Sequence, residues 1–256
     1  MDLSLPTEGL QAYKSASQRA RISSESWGAS NLYCPCCESN RLAQLPGNTP
    51  AVDYRCPQCE TGFQLKCSTK PFGRRLLDGA YSKMRYAILH NGTPHFFLLS
   101  YELDSMRVQN LLCIPDFAIT ESALEKRNPL ASTARRAGWV GCNILLDRIP
   151  SDARISIVKE NYPTPPSDVR RAYKRLKPLA SLKLEKRGWT LDVLNAIGTL
   201  GKTEFGLPEI YAFEQSLLKL HPKNYHVRDK IRQQLQVLRD LDILEFLGGG
   251  SYKLRT

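Results

Sequence analysis

The sequence predicts a mixed α/β domain followed by a small helical domain that ends in a hairpin. Paired cysteine motifs within short strand-like runs predict a metal-clipped hairpin near the N-terminus. Apolar runs further along the chain predict the core strands of the same domain. Three helical segments before a glycine-tipped hairpin predict the second domain. Because a proline-rich stretch and a basic segment lie between them, we assign residues 1–182 to the first domain and residues 183–256 to the second.

The composition is that of an ordinary globular chain with a basic charge. Of the 256 residues, 24% are charged and 42% are hydrophobic, which is the usual range. No apolar run approaches the length of a membrane span, and the N-terminus does not resemble a signal peptide. We therefore expect a cytoplasmic protein without a membrane partner. The net charge of +11 favours a polyanionic partner, with nucleic acid as the first candidate.

Four of the eight cysteines form two CxxC motifs with eighteen residues between them. This spacing is typical of a four-cysteine zinc site. Cys36 is an alternative ligand within the first motif, although the standard two-residue gap of a CxxC motif favours Cys34 and Cys37. Four thiolates fill a tetrahedral site and leave no position for water, so we expect the Zn²⁺ to be structural. The predicted ligands are Cys34, Cys37, Cys56 and Cys59.

The second CxxC motif lies between an aspartate and a Gln-x-Lys triplet. The short apolar runs Ala51–Tyr54 and Gly62–Lys66 predict the two strands of a hairpin with the motif at its tip. Asp53 belongs to the first strand, and Gln64 and Lys66 project from one face of the second because they are two residues apart. An acid and a lysine gathered in this way are typical of a metal-dependent nuclease.

Further segments complete the α/β domain. The patterns predict helices over residues 6–21 and 78–89, the latter capped by Asp78. They also predict two adjacent core strands over residues 96–101 and 108–114 and a last strand over residues 154–159.

Residues 130–143 form a loop of a different kind, in which small residues surround two arginines and a tryptophan. Glycines stand on both sides of Trp139 and Val140. Such a loop lets the backbone approach a ligand closely while the guanidinium groups of Arg135 and Arg136 bind phosphate. The alternative is a core tryptophan with surface arginines nearby, and the loop alone does not decide between the two.

The C-terminal residues predict a winged helix. Helices over residues 191–200, 207–220 and 226–240 precede the hairpin, and the third helix is apolar along one seam. This third helix usually enters the major groove, where glutamine pairs well with adenine and arginine with guanine. The alternative use of such a domain is contact with another protein. The predicted DNA-facing residues are Tyr225, Arg232, Gln233 and Gln236.

Several stretches resemble one known family nearly from end to end. They are residues 13–15, Asp53, residues 65–66, 78–81, 133–139 and 230–240. The family is that of the DpnI restriction endonucleases, which cut adenine-methylated GATC. The resemblance implies a PD-(D/E)xK nuclease domain with an inserted four-cysteine zinc site, followed by a winged helix. Both domains are expected to read the methylated site.

The resemblance also implies roles for the hairpin residues. Asp53, the Gln64 amide oxygen and the Leu65 carbonyl would hold Mg²⁺, and Lys66 would position and deprotonate the attacking water. The family pattern has a carboxylate where this chain has Gln64. A glutamine oxygen can bind Mg²⁺, but it brings no negative charge. Metal affinity is therefore expected to be weaker.

In the first domain, Trp139 and Val140 would touch the methyl groups, with Arg135 and Arg136 on phosphates or guanine. The chain is expected to be a monomeric, type II site-specific deoxyribonuclease acting on double-stranded DNA that carries N6-methyladenine. The alternative is a non-cutting reader of methylated DNA whose nuclease site has decayed at Gln64. An accessory nuclease or translocation factor acting on RNA is a distant third interpretation.

Overall fold

The computed structural model describes residues 1–47 and 49–255. The chain divides into two compact units, each assembled from segments that are distant in sequence. The first unit comprises Met1–Gly73, Gly92–Asp116 and Arg154–Lys174. The second comprises Arg74–Asn91, Phe117–Ala153 and Arg175–Thr256.

Seven α-helices and thirteen strands are found in the described residues. In chain order the helices are α1 (Ala16–Asn31), α2 (Tyr81–Leu89), α3 (Pro166–Leu176), α4 (Leu184–Thr199), α5 (Leu207–Tyr211), α6 (Glu214–Leu220) and α7 (Val227–Asp240). The strands are β1 (Ala43–Gln44), β2 (Tyr54–Arg55), β3 (Gly62–Ser68), β4 (Arg75–Ala80), β5 (His95–Glu102), β6 (Arg107–Ile114), β7 (Leu124–Lys126), β8 (Gly141–Leu145), β9 (Ile155–Lys159), β10 (Tyr162–Pro163), β11 (Glu204–Gly206), β12 (Leu244–Gly248) and β13 (Ser251–Leu254).

A seven-stranded sheet forms the first unit, in the order β1-β2-β3-β5-β6-β9-β10. Its neighbours pair antiparallel except β3 and β5, which run parallel with Gln64 opposite Phe96 and Lys66 opposite Leu98. Strand β5 is buried along almost its whole length. Phe63 of β3 stacks on Phe97 of β5 with 4.9 Å between the ring centroids. Strand β3, which carries the Gln-x-Lys triplet, is therefore fixed to the centre of a packed core.

The second unit contains two small antiparallel sheets. Strands β4, β8 and β7 form one of them, and helix α2 packs against β4 and β8. The other is the wing, in the order β11-β13-β12, and it accompanies helices α4 to α7. Helix α7 packs against α4 through its buried face, which includes Ile231, Leu235 and Leu238. This arrangement of helices and wing is a winged helix, as predicted.

The prediction of a mixed α/β fold with a C-terminal winged helix is confirmed. The core strands predicted over residues 96–101 and 108–114 are β5 and β6, which pair antiparallel. The hairpin predicted around the second CxxC motif is formed by β2 and β3. The division at residue 182 stays a prediction, since the compact units follow a different grouping of segments.

The helix predicted over residues 191–200 begins earlier, at Leu184, and the one predicted over residues 207–220 is divided into α5 and α6. Two further helix predictions were wrong in their bounds. The helix predicted over residues 6–21 begins only at Ala16 and continues to Asn31. Its buried face holds Ser23, Ser24, Trp27 and Gly28, so apolar periodicity does not mark it.

The second error concerns Asp78, which was expected to cap helix α2. It lies instead in β4, where it pairs with Cys142 of β8, and α2 begins at Tyr81. A strand partner 64 residues away in sequence overrides the local capping preference.

Candidate functional site

Four cysteine sulfurs meet at the tip of the β2–β3 hairpin. Their Sγ atoms all lie within 4.8 Å of one another, and they belong to Cys34, Cys37, Cys56 and Cys59. The backbone N–H groups of Cys36 and Gln58 donate to the sulfurs of Cys34 and Cys56 at 3.3 and 3.4 Å. Four thiols gathered at this spacing suit a tetrahedral zinc ion. Within the described residues Cys36 is outside this group.

Arg170 of α3 holds the first cysteine motif, a role that the sequence did not reveal. Its guanidinium group donates to the carbonyl oxygens of Cys34 and Ser39 at 3.2 and 3.1 Å. It also contacts the side chains of Glu38 and Asn40 at 2.8 and 3.1 Å. The planar, five-donor head of arginine can serve several acceptors at once. The partners are at least 130 residues away in sequence, so no local pattern could have predicted these contacts.

Asp53 is tied to β3 by both its backbone and its side chain. Its N–H donates to the Phe63 carbonyl at 2.8 Å, and its Oδ2 accepts from the Leu65 N–H at 2.8 Å. Leu65 stands between Gln64 and Lys66 in the sequence. The structure therefore brings together the carboxylate and the Gln-x-Lys triplet that were predicted to share one site.

Lys66 and Gln64 occupy alternate positions of β3 and share one face of the strand. The Lys66 ammonium lies 5.8 Å from the ring centroid of Phe96, which pairs with Gln64 across the parallel β3–β5 ladder. Both side chains are half-buried, and so is Asp53. The triplet is thus accessible from one side and supported by the core on the other.

The electrostatics around Asp53 reflect both burial and neighbouring charges. Burial raises the pKa of the Asp53 carboxyl, and the charge of Glu25 raises it further. The Leu65 N–H, Lys66 and Arg21 act in the opposite direction. A carboxylate with a like charge nearby is an environment that a cation would relieve. A carboxylate, an amide oxygen and a carbonyl are also the hard oxygen donors that Mg²⁺ prefers.

Glu25 and Arg21 of α1 belong to this environment but were missed in the sequence. The Arg21 Nε donates to the Glu25 Oε1 at 2.6 Å, one helical turn away. Their spacing was visible, but the helix was predicted to end at Arg21. The error in the helix bounds therefore removed Glu25 from consideration.

The Arg–Trp loop, residues 127–140, lies in the second unit between β7 and β8. The Arg136 guanidinium stacks over the Trp139 ring at 4.8 Å from its centroid. The Leu130 N–H donates to the Trp139 carbonyl at 2.9 Å, and Gly138 has a φ of +77°, which closes the loop tightly. Arg135 and Arg136 are exposed, while Trp139 and Val140 are half-buried.

The predicted DNA face of the winged helix is exposed in the structure. Arg232, Gln233 and Gln236 of α7 point away from its packed seam, and Tyr225 just before α7 is 87% exposed. The Arg232 Nε donates to the Tyr211 hydroxyl, which holds the arginine in place.

A surface cavity of about 500 Å³ beside this face is lined partly by Lys223 and Lys230. The amphipathic pattern of α7 therefore correctly predicted which residues are exposed. Gln234 differs from the other glutamines. It is fully buried and accepts a hydrogen bond from Thr190 at 2.8 Å.

Together, these features define a class of protein, an α/β domain with a cysteine-clipped hairpin that is joined to a winged helix. Two family models match this chain. The model described as DpnI, Dam-replacing family, matches residues 1–182, and the model described as the Dam-replacing helix-turn-helix domain matches residues 185–254. The chain belongs to the DpnI family of restriction endonucleases.

Membership identifies the chain as a restriction endonuclease with a C-terminal DNA-binding domain. Its cysteine cluster can hold zinc. No helix in residues 1–47 and 49–255 has the length and apolar composition that a membrane span requires.

Proposed function

We propose that this chain is a type II restriction endonuclease that hydrolyses double-stranded DNA at GATC sites carrying N6-methyladenine, with Mg²⁺ as its catalytic metal. The observation that carries the proposal is the bond from the Leu65 N–H to the Asp53 carboxylate at 2.8 Å. This bond joins the acid to the Gln-x-Lys triplet, so that a carboxylate, an amide and an ammonium serve one site.

The four residues of the proposed site would each have a defined task in phosphodiester hydrolysis. Asp53, the Gln64 amide oxygen and the Leu65 carbonyl would hold Mg²⁺, which supplies positive charge to the transition state and the leaving oxygen. Lys66 would orient the attacking water and, as the neutral amine, accept its proton, or, as the ammonium, stabilise the resulting hydroxide. The packed β3–β5 ladder keeps these groups at fixed mutual positions, which favours the attack geometry.

Zinc would have a structural task at the tip of the same hairpin. Four thiolates leave no open coordination position for a water molecule or for DNA. The clip holds the turn between β2 and β3, and with it the position of Asp53 relative to Lys66.

Recognition of methylated adenine needs more than one contact. A single methyl group in an apolar pocket discriminates by about 1–3 kcal/mol, or about 10- to 200-fold. Reading both adenines of the palindrome, and reading them again in a second domain, multiplies such factors. We assign the methyl contacts to Trp139 and Val140, and phosphate or guanine contacts to Arg135 and Arg136.

The winged helix would supply the second reading of the site. Its exposed face places glutamine and arginine, the side chains suited to adenine and guanine edges, on the third helix. The assigned residues are Tyr225, Arg232, Gln233 and Gln236. A single pocket that reads both strands in turn is compatible with a monomer.

The competing function is that of a non-cutting reader of methylated DNA. The observation that favours it is Gln64, a neutral side chain at a proposed metal-ligand position. Asp53 is nevertheless bonded to Leu65, the residue directly before Lys66, which favours the nuclease.

Incubation with plasmid DNA tests the proposal. In Mg²⁺, purified protein should cut plasmid that is adenine-methylated at GATC and spare the same plasmid without methylation. Addition of EDTA is the control and should stop the reaction. Retention of methylated plasmid on the protein without any cutting in Mg²⁺ would favour the reader instead.

A further inference from the structure

Helix α1 lies beside the catalytic hairpin and shares a cavity with it. The cavity has a volume of about 290 Å³, and its lining includes Arg21 and Glu25 of α1 together with Asp53. Residues 44–47 and Thr49 line the rest of the described wall. Two carboxylates and one guanidinium group therefore face the same space.

The position of Glu25 is fixed by its own backbone. The Tyr54 hydroxyl donates to the Glu25 carbonyl oxygen at 2.7 Å, and Tyr54 directly follows Asp53. One turn further, Gly28 packs so closely on Tyr54 that an added Cβ would lie 2.9 Å from the tyrosine Cζ. The helix is thus fastened to the strand that follows the catalytic aspartate.

Positive side chains already accompany the two carboxylates around Asp53. Arg21 forms an ion pair with Glu25 at 2.6 Å and, with Lys66, offsets the negative charge around Asp53. Gln64, on the hairpin side, contributes no charge. The Gln-x-Lys triplet has no carboxylate, but Glu25 on α1 brings one to the same region.

We propose that Glu25 is a further metal-binding residue of the nuclease site and supplies the second negative charge that Gln64 does not. Without Mg²⁺, Arg21 is the counterion of Glu25. Bound Mg²⁺ would replace Arg21 in balancing the negative charge of Glu25. The inference rests on the proposed nuclease function, because it adds a residue to the same metal site.

The test measures Mn²⁺ binding to the zinc-loaded protein without DNA, by the loss of the free Mn²⁺ signal in electron paramagnetic resonance. Mn²⁺ prefers oxygen ligands and leaves the thiolate site to zinc. Glu25→Gln should weaken Mn²⁺ binding by about tenfold or more, the scale of about 1.4 kcal/mol of lost interaction. Circular dichroism melting of each variant checks that the fold is kept.

Three further variants make the outcome specific. Arg21→Gln should tighten Mn²⁺ binding, because it removes a competing positive charge, whereas a purely structural ion pair would give no gain. Gln64→Glu combined with Glu25→Gln should restore affinity by returning a carboxylate to the site. Glu121→Gln, which breaks an exposed ion pair with Arg85 at 2.9 Å in the second unit, is the matched control and should leave affinity unchanged.

The same proteins separate a failure of this inference from a failure of the nuclease proposal. If Asp53→Asn weakens Mn²⁺ binding and Glu25→Gln does not, the role of Glu25 is overturned while the nuclease site stands. If the unmodified protein neither binds Mn²⁺ nor cuts methylated DNA in Mg²⁺, the nuclease proposal fails and the role of Glu25 fails with it.

Discussion

Gln64 is the neutral side chain among the proposed metal-binding residues. An amide oxygen can coordinate Mg²⁺, but a carboxylate binds it more strongly because it carries charge. Asp53 and Glu25 already place two carboxylates near this position, and Arg21 and Lys66 offset part of their charge. A charge introduced at position 64 therefore has two opposing effects: it attracts the metal, and it repels its neighbours when the metal is absent.

The exchange Gln64→Glu should lower the Mg²⁺ concentration needed for the half-maximal rate of cutting. The physical reason is the additional negative charge at a ligand position, and a Mg²⁺ titration of the cleavage rate measures it. Gln64→Asn is the matched control, since it keeps the amide and shortens the side chain. An unchanged titration for Gln64→Glu would argue that position 64 is not a ligand.

Trp139 is the residue on which the proposed methyl recognition depends. Its ring lies under the Arg136 guanidinium at 4.8 Å, and a Cβ added to Gly141 would come within 2.8 Å of the same ring. The indole is therefore held between a cation and the backbone, with little freedom to move.

Replacing Trp139 with alanine should reduce the preference for methylated over unmethylated duplex. The expected loss is about 10- to 200-fold, the range for one methyl group in an apolar pocket. The measurement is the ratio of the cleavage rates on two duplexes that differ only in the adenine methyl groups. Trp139→Phe keeps an apolar ring and should retain more of the preference. A ratio unchanged in Trp139→Ala would remove Trp139 from the methyl pocket.

At the scale of elements, the β2–β3 hairpin depends on its cysteine clip. Strand β2 contains only Tyr54 and Arg55, which is too short for a stable hairpin by itself. Metal ligation supplies folding free energy where the hydrogen-bonded ladder supplies little.

Cys56→Ser should therefore lose bound zinc, lower the melting temperature and abolish cutting. Zinc content by mass spectrometry and thermal unfolding by circular dichroism measure the first two effects. Cys36→Ser is the matched control, since Cys36 is outside the four-sulfur group, and it should keep its zinc. Full zinc content in Cys56→Ser, or its loss in Cys36→Ser, would contradict the assigned ligand set.

Helix α1 and the hairpin meet at Gly28 and Tyr54. Alanine at position 28 would place its Cβ against the tyrosine ring, so one of the two elements would have to shift. Overpacking of this kind costs about 1–3 kcal/mol.

We expect Gly28→Ala to lower the free energy of unfolding in urea by about that amount. Gly188→Ala is the matched control in helix α4, where an added Cβ meets no atom within 4 Å. That exchange should be neutral or stabilising by up to about 1 kcal/mol. Equal effects at the two positions would show that α1 is not packed tightly on Tyr54.

The fold was largely predictable where strands and helices carry a regular apolar pattern. The β5 and β6 strands and helix α7 were recognised for this reason. Helix α1 was misplaced because its buried face is made of serines and a glycine around Trp27. Strand β11 was missed because it has only three residues and depends on pairing with β13, about fifty residues further along.

The candidate site was predictable to the extent that it is local in sequence. Asp53, Lys66 and the four cysteines lie within one short stretch with a characteristic spacing. Glu25 and Arg21 reach the hairpin, and Arg170 reaches the first cysteine motif, through tertiary packing that no sequence spacing predicts. Contacts of this kind require the folded chain.

At the scale of the whole molecule, the proposed tasks divide between the two compact units. The cysteine cluster and the Asp53–Lys66 site belong to the first unit. The Arg–Trp loop and the winged helix belong to the second. Cutting and recognition of the methyl groups are thus assigned to different parts of the chain. The net charge of +11 favours binding of the DNA backbone. Variants should therefore separate binding from cutting.

The most direct measurement compares binding and cutting of one methylated GATC duplex by the unmodified protein, Asp53→Ala and Lys66→Ala. In Mg²⁺ the unmodified protein should cut the duplex, and both variants should bind it with similar affinity but leave it intact. The unmethylated duplex, run in parallel, should be spared by all three. Continued cutting by either variant, or equal cutting of the unmethylated duplex by the unmodified protein, would contradict the proposed site and its specificity.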